Sequence, residues 1–391
     1  MQRSAIPQGH AANNRTPREI NRKLLFNLIR HRQPVSRADL ARLSGLQRST
    51  VSLIVEELIV DRWILEGSTG TLPRGRRPTL LYLNLQRCVL AIDIHPLQTR
   101  LGVVDIGGTL VSQSVAKIAE DPTKAIKTII AAARAMILAH PQNSFEGIGI
   151  CLPGRTDLDT RTLIFAPNLS WPAFTIKPRI QRATSLRVEM DNVANACALS
   201  EVWFGDGDAS HDRVVVNVSE GIGTGIFANG QLIRGEKGMA GEFGHVQLDP
   251  AGLKCGCGSN GCWETLASNT AALRYYDKFS ANKAAARKKG SVDFHGLIQL
   301  AASGDRSARL ALEEMAKHLG RGVRMIASAL APQEIVIVGD VIKAWNICGP
   351  VVQLELARNC LSQSTVLRPS LEGSEARLRS AVALVLSTGS I

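Results

Sequence analysis

The tightest constraint in this 391-residue chain is a short cluster of ligand-type residues. It reads Gly244-His245 and then Cys255-Gly-Cys257-Gly-Ser-Asn-Gly-Cys262. Three thiolates and one imidazole match a tetrahedral zinc site, and the glycines between them let a loop fold tightly around the ion. His245, Cys255, Cys257 and Cys262 would fill all four positions, leaving none for an activated water. The predicted zinc is therefore structural, pinning a loop rather than attacking a substrate. The alternative is a chance grouping of free thiols. Hydrophobic residues make up 45% of the chain and charged residues 20%, enough apolar material for packed cores around such a loop. Cys88, Cys151, Cys197, Cys348 and Cys360 are scattered in apolar surroundings and are expected to be buried, reduced thiols.

No apolar run reaches the roughly 18–20 residues that span a bilayer. The opening MQRSAIPQGHAANNRTPRE has no apolar core of the signal-peptide kind. The expectation is a cytoplasmic protein with no membrane partner. The formal net charge is +12, and it is unevenly spread. Residues 1–87 carry 15 basic and 6 acidic side chains, a formal +9; the other 304 residues carry 31 and 28, only +3. Such asymmetry suggests a polyanion-binding module joined to a near-neutral one.

Residues 1–17 read as a flexible arm. From Arg18 to Arg30, Ile20, Leu24, Leu25, Leu28 and Ile29 recur at helical spacing. Ser36 is placed to N-cap a second helix with Leu40, Ala41 and Leu43 inward. Gly45 breaks that helix. A third runs from Leu46 to Val60 with Val51, Ile54, Val55 and Leu58 on one face. Helix, glycine turn, helix is the helix-turn-helix pattern, and the first turn of its second helix enters the major groove. Here that turn offers Gln47, Arg48, Ser49, Thr50 and Ser52, all able to reach base edges or phosphates. Two strand candidates, Trp63-Ile64-Leu65 and Leu80-Leu81-Tyr82-Leu83, flank GSTGTLPRGRRPT. This wing carries Arg74, Arg76 and Arg77 on an extended, proline-stiffened segment thin enough for a minor groove. Residues 18–87 are thus predicted to be a winged helix-turn-helix bound to double-stranded DNA; the alternative for the polar turn is a plain solvated face.

From Cys88 the pattern becomes α/β. Val89–Ile94, Leu101–Asp105, Gly147–Leu152, Val214–Val218 and Ile335–Val338 read as strands. Thr123–His140, Val193–Phe204 and Ala308–Leu330 read as helices. Residues 88–391 are long enough for two lobes and a cleft, with the first lobe about 88–205 plus the C-terminal helix and the second about 206–370.

The segment GMAGEFGHVQLDPAGLKCGCGSNGCWE resembles the ROK family of repressors, open reading frames and sugar kinases. LPGRTD at 152–157, APNLSW at 166–171 and GIGTGIFANGQL at 221–232 carry the same likeness. The winged module with its trailing Gly-Arg-Arg-Pro is similar to that of the family's xylose, N-acetylglucosamine and glucose repressors. The resemblance covers nearly all of the chain from residue 18. It implies an actin-like, hexokinase-like pair of ribonuclease-H-type lobes and a dimer or tetramer of identical chains. It also implies that Asn168, Glu242, His245 and Glu264 contact sugar hydroxyls, with His245 holding zinc through one ring nitrogen and facing the ligand with the other. Convergent donors and acceptors in a partly dry cleft suit such a ligand. The alternative for Glu242 and Glu264 is to orient the zinc ligands or cap a helix.

The chain departs from the family's kinases at three places. Where their Asp-x-Gly-Gly-Thr loop cradles ATP phosphates, this sequence reads Asp93-Ile94-His95-Pro96-Leu97-Gln98. Proline offers no amide and histidine adds bulk. The Asp105-Ile-Gly-Gly-Thr109 stretch has the right letters but follows the second strand, so it reads as a hairpin turn. Where the kinases carry a basic aspartate, the run Asp191-Asn192-Val193 holds a valine. Asp191, two residues away, is too far to replace it. The late turn is Gly339-Asp340, with its second glycine missing. The expectation is a non-enzymatic transcriptional repressor of carbohydrate-metabolism genes, controlled by a sugar or sugar derivative. Alternatives are a bifunctional sugar kinase, or a DNA-binding protein whose cleft is a relic.

Overall fold

The computed structural model describes residues 15–69, 78–95, 98–157, 162–166, 169, 171–205, 212–280, 292–358, 364–370 and 376–389. Arg74, Arg76, Arg77, Asn168 and Cys360, together with Pro96 and Leu97, lie outside the described residues. The chain divides into two compact units between Arg87 and Cys88. No described helix is long and apolar enough to cross a membrane.

The first unit runs α1 (Arg15–Arg32), β1 (Val35–Ser36), α2 (Arg37–Ser44), α3 (Arg48–Val60), β2 (Ile64–Thr69) and β3 (Thr79–Leu83). Helix α1 starts at Arg15, three residues before the expected Arg18. Its buried face is Leu25, Phe26 and Ile29, while Ile20 and Leu24 lie exposed. Phe26 packs edge-on against Trp63 with ring centroids 5.5 Å apart, and that contact turns the helix. Ser36 caps α2 as expected, in a reciprocal capping box with Asp39. Leu40 is buried, but Leu43 is exposed rather than inward. Gly45 ends the helix at φ +69°, a left-handed conformation suited to glycine. Val51, Ile54, Val55 and Leu58 form the buried face of α3. The three strands pair in the order β1-β3-β2. Two-residue β1 is too short to leave a periodic signal; its Val35 pairs with Leu81.

The second unit begins with β4 (Arg87–Asp93), β5 (Thr99–Asp105), β6 (Leu110–Ala116), α4 (Pro122–Ala139) and β7 (Ser144–Leu152). The small ribbon β8 (Arg155–Thr156) and β9 (Leu163–Phe165) comes next, then α5 (Lys177–Thr184), β10 (Val188–Asn192) and α6 (Val193–Phe204). After these come β11 (Arg213–Val218), β12 (Ile222–Ala228), β13 (Gln231–Ile233), α7 (Trp263–Ala267), α8 (Asn269–Phe279), α9 (Phe294–Ala302) and α10 (Arg306–Leu330). The unit closes with β14 (Glu334–Gly339), α11 (Trp345–Ala357), β15 (Val366–Pro369) and α12 (Ala376–Thr388).

Two five-stranded sheets result, β10-β7-β4-β5-β6 and β13-β12-β11-β14-β15. Numbered within each sheet, both read 5-4-1-2-3 or its reverse, so one lobe topology is used twice. Each sheet has its own apolar core: Leu90, Ile92, Ile148 and Ile150 lie in one, and Val214, Val216, Ile335 and Ile337 in the other. Helices α6 and α12 pack on each other at the seam, α12 against β7 and β5, and α6 against β11 and β12. Gly225 permits this approach, since a β-carbon there would lie 2.3 Å from the Ala194 carbonyl oxygen. Helix α10 is the longest, and Trp263 docks on it: the indole Nε1 donates to the His318 carbonyl at 2.9 Å. A β-carbon on Gly322 would fall 1.9 Å from that ring.

Candidate functional site

The His/Cys cluster is assembled by a short 3-10 turn, Glu242–His245, and the loop leading into α7. One ligand atom from each of His245, Cys255, Cys257 and Cys262 lies within 4.8 Å of all the others. A tetrahedral ion with metal–sulfur bonds of about 2.3 Å holds its sulfurs roughly 3.8 Å apart. The Cys257 and Cys262 sulfurs are 3.6 Å apart, and His245 Nδ1 is 3.4 Å from Cys255 Sγ. The donor set therefore fits a metal ion. A hydrogen bond from the Ser259 amide holds the Cys257 thiol below its usual range, favouring thiolate, while burial pushes Cys255 up. The other ring nitrogen of His245 faces Glu242, with Nε2 3.7 Å from Oε2.

Glu242 and Glu264 meet different surroundings. Glu264 Oε1 is 2.9 Å from Cys255 Sγ and 3.4 Å from His245 Nδ1, so its carboxylate lies against the metal ligands. Glu242 lines a small space at the N-terminus of α6 with Arg155, Asp191, Asn192, Asn195 and Thr224. Burial raises its carboxyl above the usual value, partly offset by His245 and Arg155. That space is only about 30 Å³, room for little more than a water. Val193 is buried as the first residue of α6. Asp191 accepts hydrogen bonds from Arg234 Nη2 at 2.6 Å and Asn195 Nδ2 at 3.1 Å. It is held by a cation rather than left as a free base. Asn192 caps α6 through Ala194 N and donates Nδ2 to the Gly154 carbonyl.

A larger cavity of about 660 Å³ opens between the lobes beside the ends of β4 and β14. Leu273, Val292, Phe294 and Ile298 form an apolar wall, and Asp93, His95, Arg100, Glu220 and Arg377 a charged floor. Asp93 is buried, and Arg377 Nε and Nη2 donate three hydrogen bonds to it at 2.7, 2.9 and 3.0 Å. His95 Nε2 lies 2.8 Å from Glu220 Oε2. The Asp105–Thr109 stretch is the hairpin turn between antiparallel β5 and β6. Asp105 Oδ1 itself accepts the Gly107 and Thr109 amides, each at 2.9 Å. A phosphate would need those same donors.

In the first unit, Gln47, Arg48, Ser49 and Ser52 are exposed at the start of α3, and Thr50 is partly buried. Gln47 stands at the N-cap position without a side-chain cap bond. The acidic end of α3 is covered: Arg18 binds Glu57, and Arg22 binds Glu57 at 3.4 Å and Asp61 at 2.5 Å. This removes negative charge from a helix that would face phosphates.

Sequence reasoning missed Arg234, Glu220 and Arg377. For Arg377 a signal existed. It shares a helix face with Ala381 and Leu384, all buried, so a charge on that stripe demanded a partner.

Comparisons with known proteins agree along the chain. The ROK family profile matches residues 89–387. The xylose repressor of Bacillus subtilis (strain 168) is 32% identical over 367 residues, which span 92% of this chain and 93% of that one. The crystal structure of a ROK family transcriptional regulator, described as a homolog of the E. coli MLC protein, superposes with a TM-score of 0.77 at 25% identity. That match covers 95% of this chain and 96% of the regulator. A ROK family glucokinase from Streptomyces griseus, in complex with glucose and AMPPNP, gives 0.70 at 27% identity, covering 77% of this chain and 99% of the enzyme.

Proposed function

The chain belongs to the ROK family, a winged helix-turn-helix followed by an actin-like two-lobed domain, and from that premise we propose that it is a DNA-binding transcriptional repressor of carbohydrate-metabolism genes. Residues 18–87 read the operator through Gln47, Arg48, Ser49, Thr50 and Ser52, with Arg74, Arg76 and Arg77 in the minor groove. Residues 88–391 sense a sugar or sugar derivative. The effector contacts Asn168, Glu242 and His245, with Glu264 steadying the zinc ligands beside it. Zinc on His245, Cys255, Cys257 and Cys262 is a structural ion that holds this loop in shape. The chain works in the cytoplasm as a homodimer or homotetramer. Effector binding changes the placement of the lobes and with it the spacing of the paired DNA-reading units.

The observation that carries the non-enzymatic reading is the Arg377 guanidinium on Asp93. A carboxylate already taking three hydrogen bonds from a buried cation is not available to a metal–nucleotide complex. Val193 at the base position supports the same reading, because a hydrocarbon takes no proton from a sugar hydroxyl.

Gel-shift titration tests the DNA half. Operator binding should be sequence-dependent and fall steeply with salt as counterions are released. Removing residues 1–87 should abolish it, and persistent binding would refute the assignment. One observation favours the relic-cleft reading: the roughly 30 Å³ beside Asp191 is too small for a pyranose unless the lobes part. Calorimetry with a sugar panel separates the two, since saturable heat supports the sensor and silence across the panel the relic.

A further inference from the structure

We infer that His95 and Glu220 form an interlobe latch that ties the two lobes together across the cleft without any nucleotide. The two residues come from different lobes: His95 follows β4 of the first sheet, and Glu220 sits in the turn between β11 and β12 of the second. Their Nε2 and Oε2 atoms are 2.8 Å apart. Both side chains are largely shielded, 17% and 28% exposed, so the contact is less screened than a surface pair.

Each partner is firmly carried. The Glu220 carbonyl accepts Thr270 Oγ1 at 3.1 Å, and the Ser219 carbonyl accepts the Asn269 amide at 2.8 Å. The turn is thus tied to the start of α8. Beside His95, the Ile94 amide donates to the Cys151 carbonyl of β7 at 2.8 Å. Each side of the pair is thus hydrogen-bonded into its own lobe.

Its position gives it leverage. The seam is the packing of α6 on α12, and Glu201 of α6 is tied instead to the β15 edge, accepting Arg368 Nη2 and Ser370 Oγ, each at 2.8 Å. His95 and Glu220 belong to neither seam helix and line the open cavity with Asp93, Arg100, Arg377, Asp340 and Lys343. Burial would raise the Glu220 carboxyl, but the hydrogen bond and charge of His95 bring it below its usual value. Glycine at position 95, as in a phosphate-cradling loop, would have no side chain for this contact. A position that departs from the cradle therefore also supplies the interlobe contact.

The consequence for regulation rests on the sensor reading, because a sugar can enter the 30 Å³ space beside Asp191 only if the lobes part, and parting strains this pair. The geometry does not rest on it, so the test uses the full-length protein alone. Amide hydrogen exchange is compared among the parent, His95→Gln, Glu220→Gln and His95→Lys. Peptides covering 92–95 and 219–222 should exchange on the order of ten times faster in both Gln variants, as expected for opening no longer opposed by about 1.4 kcal/mol. His95→Lys, which places an N–H donor and a positive charge opposite Glu220, should stay near the parent. Unchanged metal content and a single cooperative melt, lowered by a few degrees at most, identify the variants as folded. Parental protection in both Gln variants overturns the latch. It would leave the sensor reading standing, just as failure of every sugar to bind would leave the latch standing.

Discussion

Arg377 and Asp93 lie 284 positions apart in the chain and meet in a buried, three-bond ion pair. Losing one partner of such a pair strands the other charge out of water. Arg377→Met or Asp93→Asn alone should destabilise the second unit by about 3–5 kcal/mol. The double variant should recover a sizeable part of that loss. Urea denaturation followed by a probe in residues 88–388 measures the cycle, and strictly additive losses would show that the pair is not coupled.

Restoring the base alone should not restore chemistry. Val193→Asp puts a carboxylate at the start of α6, yet Asp93 remains occupied by Arg377. An ATP-coupled phosphorylation assay across hexoses and pentoses should give no rise above the parent. A general base is commonly worth roughly 10²–10⁴ in rate, so a rise of that size would mean that nucleotide still binds productively.

Arg48→Ala and Gln47→Ala remove exposed side chains at the start of α3. Each should weaken binding to the cognate operator by about 1–3 kcal/mol if it reads a base, with little effect on non-cognate DNA. Equal weakening on both DNAs would reassign the residue to phosphate contact. Thermal stability should not change, since neither side chain is buried.

Cys257→Ser removes the most exposed of the four clustered donors. Bound zinc, read by elemental analysis, should fall, and any effector response with it, while DNA contact by the first unit persists. Equal metal content in variant and parent would refute the ligand assignment.

The Glu220 carboxyl sits below its usual 4.5, with burial opposing and His95 prevailing. A depressed carboxyl contributes stability that is complete above the unfolded-state value and lost as the pH falls through the folded one. Unfolding of the second unit should therefore show an acid-side loss below about pH 4.5 that is missing in Glu220→Gln. Identical acid limbs would remove Glu220 from the account.

Much of the architecture was legible because it repeats locally. The buried stripe Val51, Ile54, Val55, Leu58 announces α3 by its period, and Val193–Phe204 matches α6 to the residue. The four candidate metal donors were visible because three of them fall within eight positions. Partners distant in sequence were not legible. Nothing near Asp93 points to residue 377, and nothing near Asp191 to Arg234. Ile20, Leu24 and Leu43 show the limit of periodicity: it gives a helix an apolar face but not its rotation, which in α1 goes with the packing of Phe26 on Trp63.

Trp263 follows directly on the donor Cys262, and its indole is keyed into the gap left by Gly322. The 25 residues of α10 form a rod of about 37 Å at 1.5 Å per residue. The loop that carries the cysteines is thus joined to this rod through a contact with no room for one more carbon, and Gly322→Ala, which puts a β-carbon 1.9 Å from the ring, should loosen the joint and lower the melting temperature of the second unit.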